Sequence, residues 1–358
     1  VLHPQEISVK RKNLLKELVG GEIPRLWCPL LTHYTPDGTL DRERMAAHWA
    51  SIRPNVRAFL IPGSTGDGWE MSEAEVKALL DFALEMTRKL DALILVGVLK
   101  TDISSMSQAL SEILTVLKQK AGVEDATKAL KQMRVCGFTV CPPHGADLTQ
   151  EQIQAGLETI LELNLPTAIY QLPQVTKNEI SPSVIERLAR RYANFVLFKD
   201  SSRGDRVALE DRGRSGVFLL RGAEGHYAQW LWESGGPYHG LLLSTANCFS
   251  ARLRTIFTLL QEARCEEAHN LSDRLTQVVD SVFALVDNLP QGNPFTNANK
   301  AIDHFMAYGS EAEQFPPPML HIGMRLPENV IREVGKILEN AKLIPKKGYL
   351  NGGTDFLT

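Results

Sequence analysis

Short apolar or β-branched runs alternate along the chain with longer stretches whose apolar residues recur with helical spacing. Eight runs have the length and composition of buried strands: 25–32, 56–62, 92–98, 137–141, 166–170, 195–199, 217–221 and 240–244. Amphipathic stretches lie between them at 41–52, 72–89, 149–163 and 181–192. Ser72 stands three residues before Glu75, and Thr149 three before Gln152, so both helix starts carry a capping box. Eight β/α alternations predict a closed (β/α)₈ TIM barrel, since a parallel sheet must be covered by the helices that connect its strands.

After residue 248 the strand signals stop, and helices are expected over 250–263, 265–288, 294–308 and 327–341. Three consecutive prolines, Pro316 to Pro318, break the helical pattern before the last of them. The expected organisation is an N-terminal helical or flexible segment over 1–22 and the barrel over 23–248. A C-terminal helical extension follows over 249–345, and a flexible tail over 346–358. The charged stretch 119–133 is expected to be a surface helical insertion.

Composition narrows the function. A net charge of −3 offers no basic field to gather nucleic acid or anionic lipid. No run of about 18 apolar residues would span a bilayer, and the first 22 residues are charged rather than leader-like. Five cysteines, an odd number without C-x-x-C spacing, are expected to be free thiols in a reducing cytosol. A cytoplasmic enzyme of small molecules is the expectation, with neither nucleic acid nor membrane as partner.

In such a barrel the C-terminal strand ends meet at one mouth, and reactive side chains belong there. This places Gly63, Ser64, Thr65, Lys100, His144, Tyr170, Lys199, Gly222, Glu224 and Ser244 at the mouth. Lys199 closes the apolar run Phe195 to Phe198; an amine withdrawn from water there can attack a carbonyl and form an iminium. The alternative is a structural lysine paired with Asp200 or Asp205. The loop Gly63-Ser64-Thr65-Gly66-Asp67-Gly68 could cradle a carboxylate with backbone N–H groups, or be a plain turn. It lacks the lysine of a P-loop and the spacing of a dinucleotide site. Tyr170 could relay protons or simply pack. Glu224, expected at the start of a seventh helix, could meet substrate hydroxyls or favour the helix dipole. Lys100 could recognise substrate, replace Lys199 as nucleophile or lie on the surface; His144 could bond substrate or be an ordinary loop residue.

Three of these stretches, Gly63-Ser64-Thr65-Gly66-Asp67, Tyr170-Gln171-Leu172-Pro173 and Phe198-Lys199-Asp200-Ser201-Ser202, occur in the order of the motifs G-[ST]-T-G-E, Y-N-x-P and K-[DE]-x-[ST]. The chain thereby resembles the dihydrodipicolinate synthase and N-acetylneuraminate lyase family over roughly residues 23–345. Cys28 to Thr32, Ser244 to Asn247, and Asn293-Pro294 with Lys300 resemble further family motifs. The resemblance implies a class I aldolase-type lyase with no metal and no cofactor, acting on a 2-oxo acid and an aldehyde as a homo-oligomer, commonly a tetramer. It assigns the Schiff base to Lys199, the proton relay to Tyr170, and the substrate carboxylate to Ser64 and Thr65.

The pattern departs from the family at Asp67, at Gln171 and at Cys141-Pro142-Pro143-His144. Val175 stands where the synthases carry a carboxylate-binding arginine. A 2-keto-3-deoxy sugar acid is therefore the expected substrate type, with a dehydratase of such an acid next. A dihydrodipicolinate synthase, a non-catalytic 2-oxo-acid-binding paralogue and a metal-dependent aldolase are further alternatives.

Overall fold

Parallel pairing joins β1 (Leu26–Pro29), β2 (Ala58–Ile61), β3 (Leu93–Gly97), β4 (Val135–Val140), β5 (Thr167–Gln171), β6 (Phe195–Asp200), β7 (Phe218–Arg221) and β8 (Gly240–Leu242) in chain order. β8 pairs back onto β1, so the computed structural model is a closed eight-stranded barrel. It describes residues 3–211, 213 and 215–351.

Around and beyond the strands lie α1 (Pro4–Val19), α2 (Arg42–Ile52), α3 (Glu73–Lys89), α4 (Ile103–Ala121), α5 (Ala126–Gln132), α6 (Gln150–Leu161) and α7 (Pro173–Thr176). They are followed by α8 (Pro182–Arg191), α9 (Arg206–Asp211), α10 (Ala246–Gln261), α11 (Cys265–Val286), α12 (Pro294–Tyr308) and α13 (Glu328–Asn340). Both capping boxes form. Glu75 N donates to Ser72 Oγ (3.3 Å) while Ser72 N donates to Glu75 Oε2 (2.7 Å), and Thr149 and Gln152 repeat the exchange at 3.3 and 2.8 Å.

Period-two alternation sorts each strand. Leu197 and Ala168 join the cluster inside the barrel with Trp27, Leu60 and Leu220, whereas Phe198 and Ile169 face the helices. The same alternation carries Tyr170 and Lys199 inward, two residues beyond Ala168 and Leu197. The register pairs Tyr170 with Lys199 and Lys199 with Leu220, so chemistry from neighbouring strands stands side by side.

Several boundaries differ from the sequence expectation. Of the segment expected over 1–22 as helical or flexible, residues 4–19 form the capped helix α1. Its Leu15 and Val19 enter the inner cluster at the strand starts, closing the end opposite the mouth. Arg11 fixes it by donating to the carbonyls of Ala189, Tyr192 (3.1 Å) and Ser215 (2.6 Å). The surface insertion expected over 119–133 is the end of α4 plus α5, which buries Ala129 and Leu130. α10 runs through the barrel limit expected at 248, with one non-helical residue at Phe249, because its buried Leu253, Ile256 and Phe257 continue the outer layer.

Between β7 and β8 no α-helix lies among the described residues, only a loop with a 3₁₀ turn over Trp232–Ser234. α11 braces this loop instead. His226 N donates to Thr276 Oγ1 (2.8 Å) and Ala228 N to Ser272 Oγ (3.2 Å). The tail expected to be flexible from 346 is docked at its start, where half-buried Tyr349 donates to Asp303; residues 352–358 lie outside the described residues.

Candidate active site

Lys199 is only 4 % exposed, and its Nζ lies 3.9 Å from the centre of the Tyr170 ring. Such a cation–π contact suits an ammonium held over an aromatic face. Neither carboxylate expected as a structural partner reaches it. Asp205 accepts from Tyr238 Oη (2.6 Å) and Arg221 Nε (3.1 Å), and Asp200 accepts from Ser202 N (2.9 Å) and Gln171 Nε2 (3.5 Å). Burial raises the Asp200 carboxyl above its usual range, and its second oxygen has no hydrogen-bond partner. Among the described residues Lys199 forms no ion pair.

Gly222, just past β7, makes room for the lysine. A Cβ there would stand 2.2 Å from Ser201 Oγ and 2.6 Å from Lys199 Cε. The Tyr170 hydroxyl lies 3.5 Å from Ser64 Oγ, across 106 residues of sequence, and Ser64 Oγ accepts from Trp69 Nε1 at 2.8 Å.

Ser64, Thr65 and Gly66 form a single 3₁₀ turn after β2. The carbonyl of Gly63 accepts from Gly66 N and Gly68 N, both at 3.0 Å. The N–H groups of Ser64 and Thr65 open that turn and donate to no group among the described residues, which leaves two adjacent donors for an anion.

The departures from the family motifs are built into this frame. Asp67, in the left-handed region at φ 60°, accepts from Tyr34 Oη (3.1 Å), Thr296 Oγ1 (3.1 Å) and Lys300 Nζ (3.5 Å). Burial lowers the Lys300 ammonium from its ordinary value, against the pull of Asp67. From α12, the Thr296 hydroxyl shares its one proton between Asp67 and Thr65 O (3.0 Å), and Nδ2 of Asn293, the N-cap of that helix, donates to Ser64 O (3.3 Å). The C-terminal helices therefore hold the Ser64 loop directly. Gln171 Oε1 accepts from Ile180 N at 2.8 Å, tying the β5 end to the following loop.

Glu224 does not begin a helix, so the dipole placement expected for it falls. It accepts from Ser244 Oγ (2.6 Å), Thr245 N (3.1 Å), Thr245 Oγ1 (2.7 Å) and Tyr227 Oη (3.0 Å). These four bonds brace the end of β7 against the turn after β8 and engage Ser244 as well. His144 is exposed, its backbone donating to Thr101 O at 3.1 Å, and its side chain takes no part in the bonds around Tyr170. Lys100 pairs at 3.8 Å with the exposed Glu73. It borders an outer cleft of about 430 Å³ between α3 and α4.

The sequence reading passed over Trp69. Its indole packs, together with Val175, against the small cluster of Cys141, Tyr170 and Leu172. Its place five residues after Ser64 was visible, but the direction of a side chain inside a tight loop was not. Three of the five cysteines, Cys28, Cys136 and Cys141, are buried, and all five are free. Burial pushes the thiols of Cys136 and Cys141 up to about 12.

Residues 22–292 match the dihydrodipicolinate synthetase family. YagE of Escherichia coli K12, named as a provisional 2-dehydro-3-deoxy-D-gluconate aldolase, is 25 % identical over 237 residues, covering 65 % of this chain and 69 % of YagE. The 4-hydroxy-tetrahydrodipicolinate synthase of Rickettsia massiliae (strain Mtu5) is 28 % identical over 186 residues, 51 % of this chain and 54 % of that protein. The chain thus spans about half the length of that synthase. Among solved structures, YagE in complex with pyruvate superposes with a TM-score of 0.69 at 18 % identity, covering 90 % of this chain and 99 % of that one. The 2-keto-3-deoxygluconate aldolase of Sulfolobus with bound D-KDPG gives 0.66 at 17 % identity over 89 % and 96 % of the two chains. These two superpositions establish a shared fold.

Proposed function

The chain belongs to the dihydrodipicolinate synthetase family, and from that we propose that it is a Schiff-base-forming lyase, a class I aldolase acting on a pyruvate-derived 2-oxo acid. The observation that carries this reading is the buried Lys199 Nζ, in no ion pair among the described residues and placed over the Tyr170 ring, whose hydroxyl meets Ser64.

The chemistry then follows from the residues. The Lys199 amine attacks the C2 carbonyl carbon of the substrate, and the carbinolamine loses water to give an iminium, with Tyr170 carrying the proton to the departing oxygen. When the C3–C4 bond breaks, its electron pair moves into the iminium and forms an enamine. The C4 hydroxyl passes its proton to the Tyr170 oxygen and leaves as an aldehyde. The enamine takes a proton back at C3, and hydrolysis releases pyruvate and the free amine. The N–H groups of Ser64 and Thr65 hold the carboxylate so that C2 faces Lys199, which is the orientational part of the catalysis.

Tyr170→Phe is expected to lower kcat by about 10²-fold or more while leaving the melting temperature nearly unchanged, as befits loss of a proton relay. Unaltered turnover in that variant would return Tyr170 to packing.

For the substrate we favour a 2-keto-3-deoxy sugar acid, the chemistry for which YagE and the Sulfolobus aldolase are named. Val175 supports this choice. It packs beside Tyr170 and Leu172 and offers neither charge nor donor to a second carboxylate. A charge-assisted hydrogen bond of that kind is worth about 1.5–3 kcal/mol, or roughly ten- to over a hundredfold in rate. Cleavage of deoxy-oxo sugar acids, read as released pyruvate, is expected to exceed condensation of pyruvate with aspartate semialdehyde by about tenfold or more in kcat/KM. A higher kcat/KM for the condensation would reverse the choice of substrate.

A further inference from the structure

We propose that Trp69 is a positioning residue of the proton relay: its indole N–H fixes the Ser64 hydroxyl so that the serine serves only Tyr170 and the bound substrate. The inference rests on the lyase reading of the site and adds a member to it. A serine hydroxyl has one proton and two lone pairs, and an indole N–H can only donate. At 2.8 Å Trp69 Nε1 occupies one lone pair of Ser64 Oγ. The remaining lone pair and the single proton must then be shared between Tyr170, 3.5 Å away, and the mouth where the carboxylate would sit. The hydroxyl cannot turn its proton toward the indole. On that side the relay ends in a group that neither accepts nor releases a proton at any working pH.

The surroundings of Trp69 hold it to this task. A Cβ at Gly68 would stand 2.7 Å from Leu99 Cδ1 and 2.9 Å from Pro62 Cβ, so the chain before the tryptophan is pressed against the barrel. Glu70 N and Met71 N both donate to Asp67 O at 3.1 Å, closing the turn that carries it. Asp67 is itself held by Tyr34, Thr296 and Lys300. The ring also packs against the cluster that Cys141, Tyr170 and Leu172 form, so the side chain that bonds Ser64 is seated on the cluster to which Tyr170 belongs.

The test needs no knowledge of the aldehyde. A Schiff-base enzyme exchanges the methyl protons of pyruvate for deuterium in D₂O through the enamine, and proton NMR follows that loss. Trp69→Phe keeps most of the ring packing and removes the N–H. It should slow exchange about three- to tenfold with the half-saturating pyruvate concentration nearly unchanged. In a Ser64→Ala background the same replacement should have no further effect, because a residue acting through Ser64 has nothing left to act on. An equal slowing in both backgrounds, or none in either, would overturn the proposal. Should Ser64→Ala exchange too slowly to read, the indole N–H signal assigned through Trp69→Phe replaces it. That signal should shift in Ser64→Ala, and an unmoved signal would count against the bond. Borohydride trapping of pyruvate on the wild-type chain separates the two levels. A chain that traps pyruvate yet ignores Trp69→Phe retains its lyase reading and loses this one, whereas a chain that traps nothing loses the lyase reading itself.

Discussion

Lys199→Met removes the pyruvyl adduct that borohydride is expected to fix on the wild-type chain, and with it turnover, by about 10⁴-fold or more, the scale on which loss of a covalent nucleophile acts. Mass spectrometry should find one pyruvyl group per wild-type chain, on the peptide that contains Lys199. The expectation rests on competition for that amine. Asp205 is committed to Arg221 and Tyr238, and Asp200 to Ser202 and Gln171, so neither carboxylate ties Lys199 down. Gly222 leaves its stem unobstructed. Methionine preserves length and apolar packing without an amine, so a folded but inactive variant is the expected product. Lys100→Met is the matched control, since Lys100 pairs with exposed Glu73. An adduct that persists in Lys199→Met and disappears in Lys100→Met would move the nucleophile to β3.

Asp303→Ala should lower the stability by about 3–5 kcal/mol, the range for stripping the partner from buried charge. Its carboxylate is buried in α12, where it accepts from Arg44 Nη2 (2.9 Å) and from Tyr349 Oη (3.0 and 3.1 Å). His48 Nδ1 lies 3.0 Å away and His33 Nε2 3.6 Å. Both histidines and the aspartate could offer ligand atoms within 4.8 Å of one another. The Arg44 guanidinium, however, already supplies the positive charge that this carboxylate needs. In a chain of this size the loss corresponds to a fall in Tm of about 4–7 °C, read by calorimetry.

The same cluster makes the protein acid-sensitive. Burial, then Arg44, holds His33 well below its ordinary value, so the unfolded chain binds a proton that the folded chain refuses. That contribution is complete above the unfolded value of about 6.5 and is lost as the pH falls below it. For Asp303 burial opposes ionisation, but His48 and Arg44 outweigh it and hold the carboxyl well below the usual carboxylate range. Its contribution persists above about pH 4 and drains away as the pH falls further. Tm should therefore decline in two stages on acidification, and Asp303→Asn should lack the second. A Tm independent of pH between 7 and 3 would sink this account. Because α12 and its N-cap also supply the Thr296 and Asn293 that hold the Ser64 loop, weakening this cluster should loosen the site itself.

The amino-acid sequence by itself determined what depends on near neighbours. The eight strands were legible because a buried parallel strand is an unbroken apolar run, and the helix starts at Ser72 and Thr149 because a capping box spans four residues. Lys199, Tyr170 and Ser64 stood out for a related reason. Each lies at or just past the end of such a run, and a barrel brings those ends together. Tertiary structure decided which side chains turn toward one another, whether near or far apart in the chain. No local pattern announces that Trp69 turns back onto Ser64, that Asp67 is held from α12, or that Tyr349 docks on Asp303, 46 residues earlier. Nor does periodicity show that α11 braces the loop after β7, where a seventh helix was expected, which changes Glu224 from a helix start into a four-bond brace. Periodicity specifies which face of an element is apolar. Which polar groups satisfy one another is settled only when closure of the barrel and packing of the helices leave each buried donor and acceptor a small set of partners within reach.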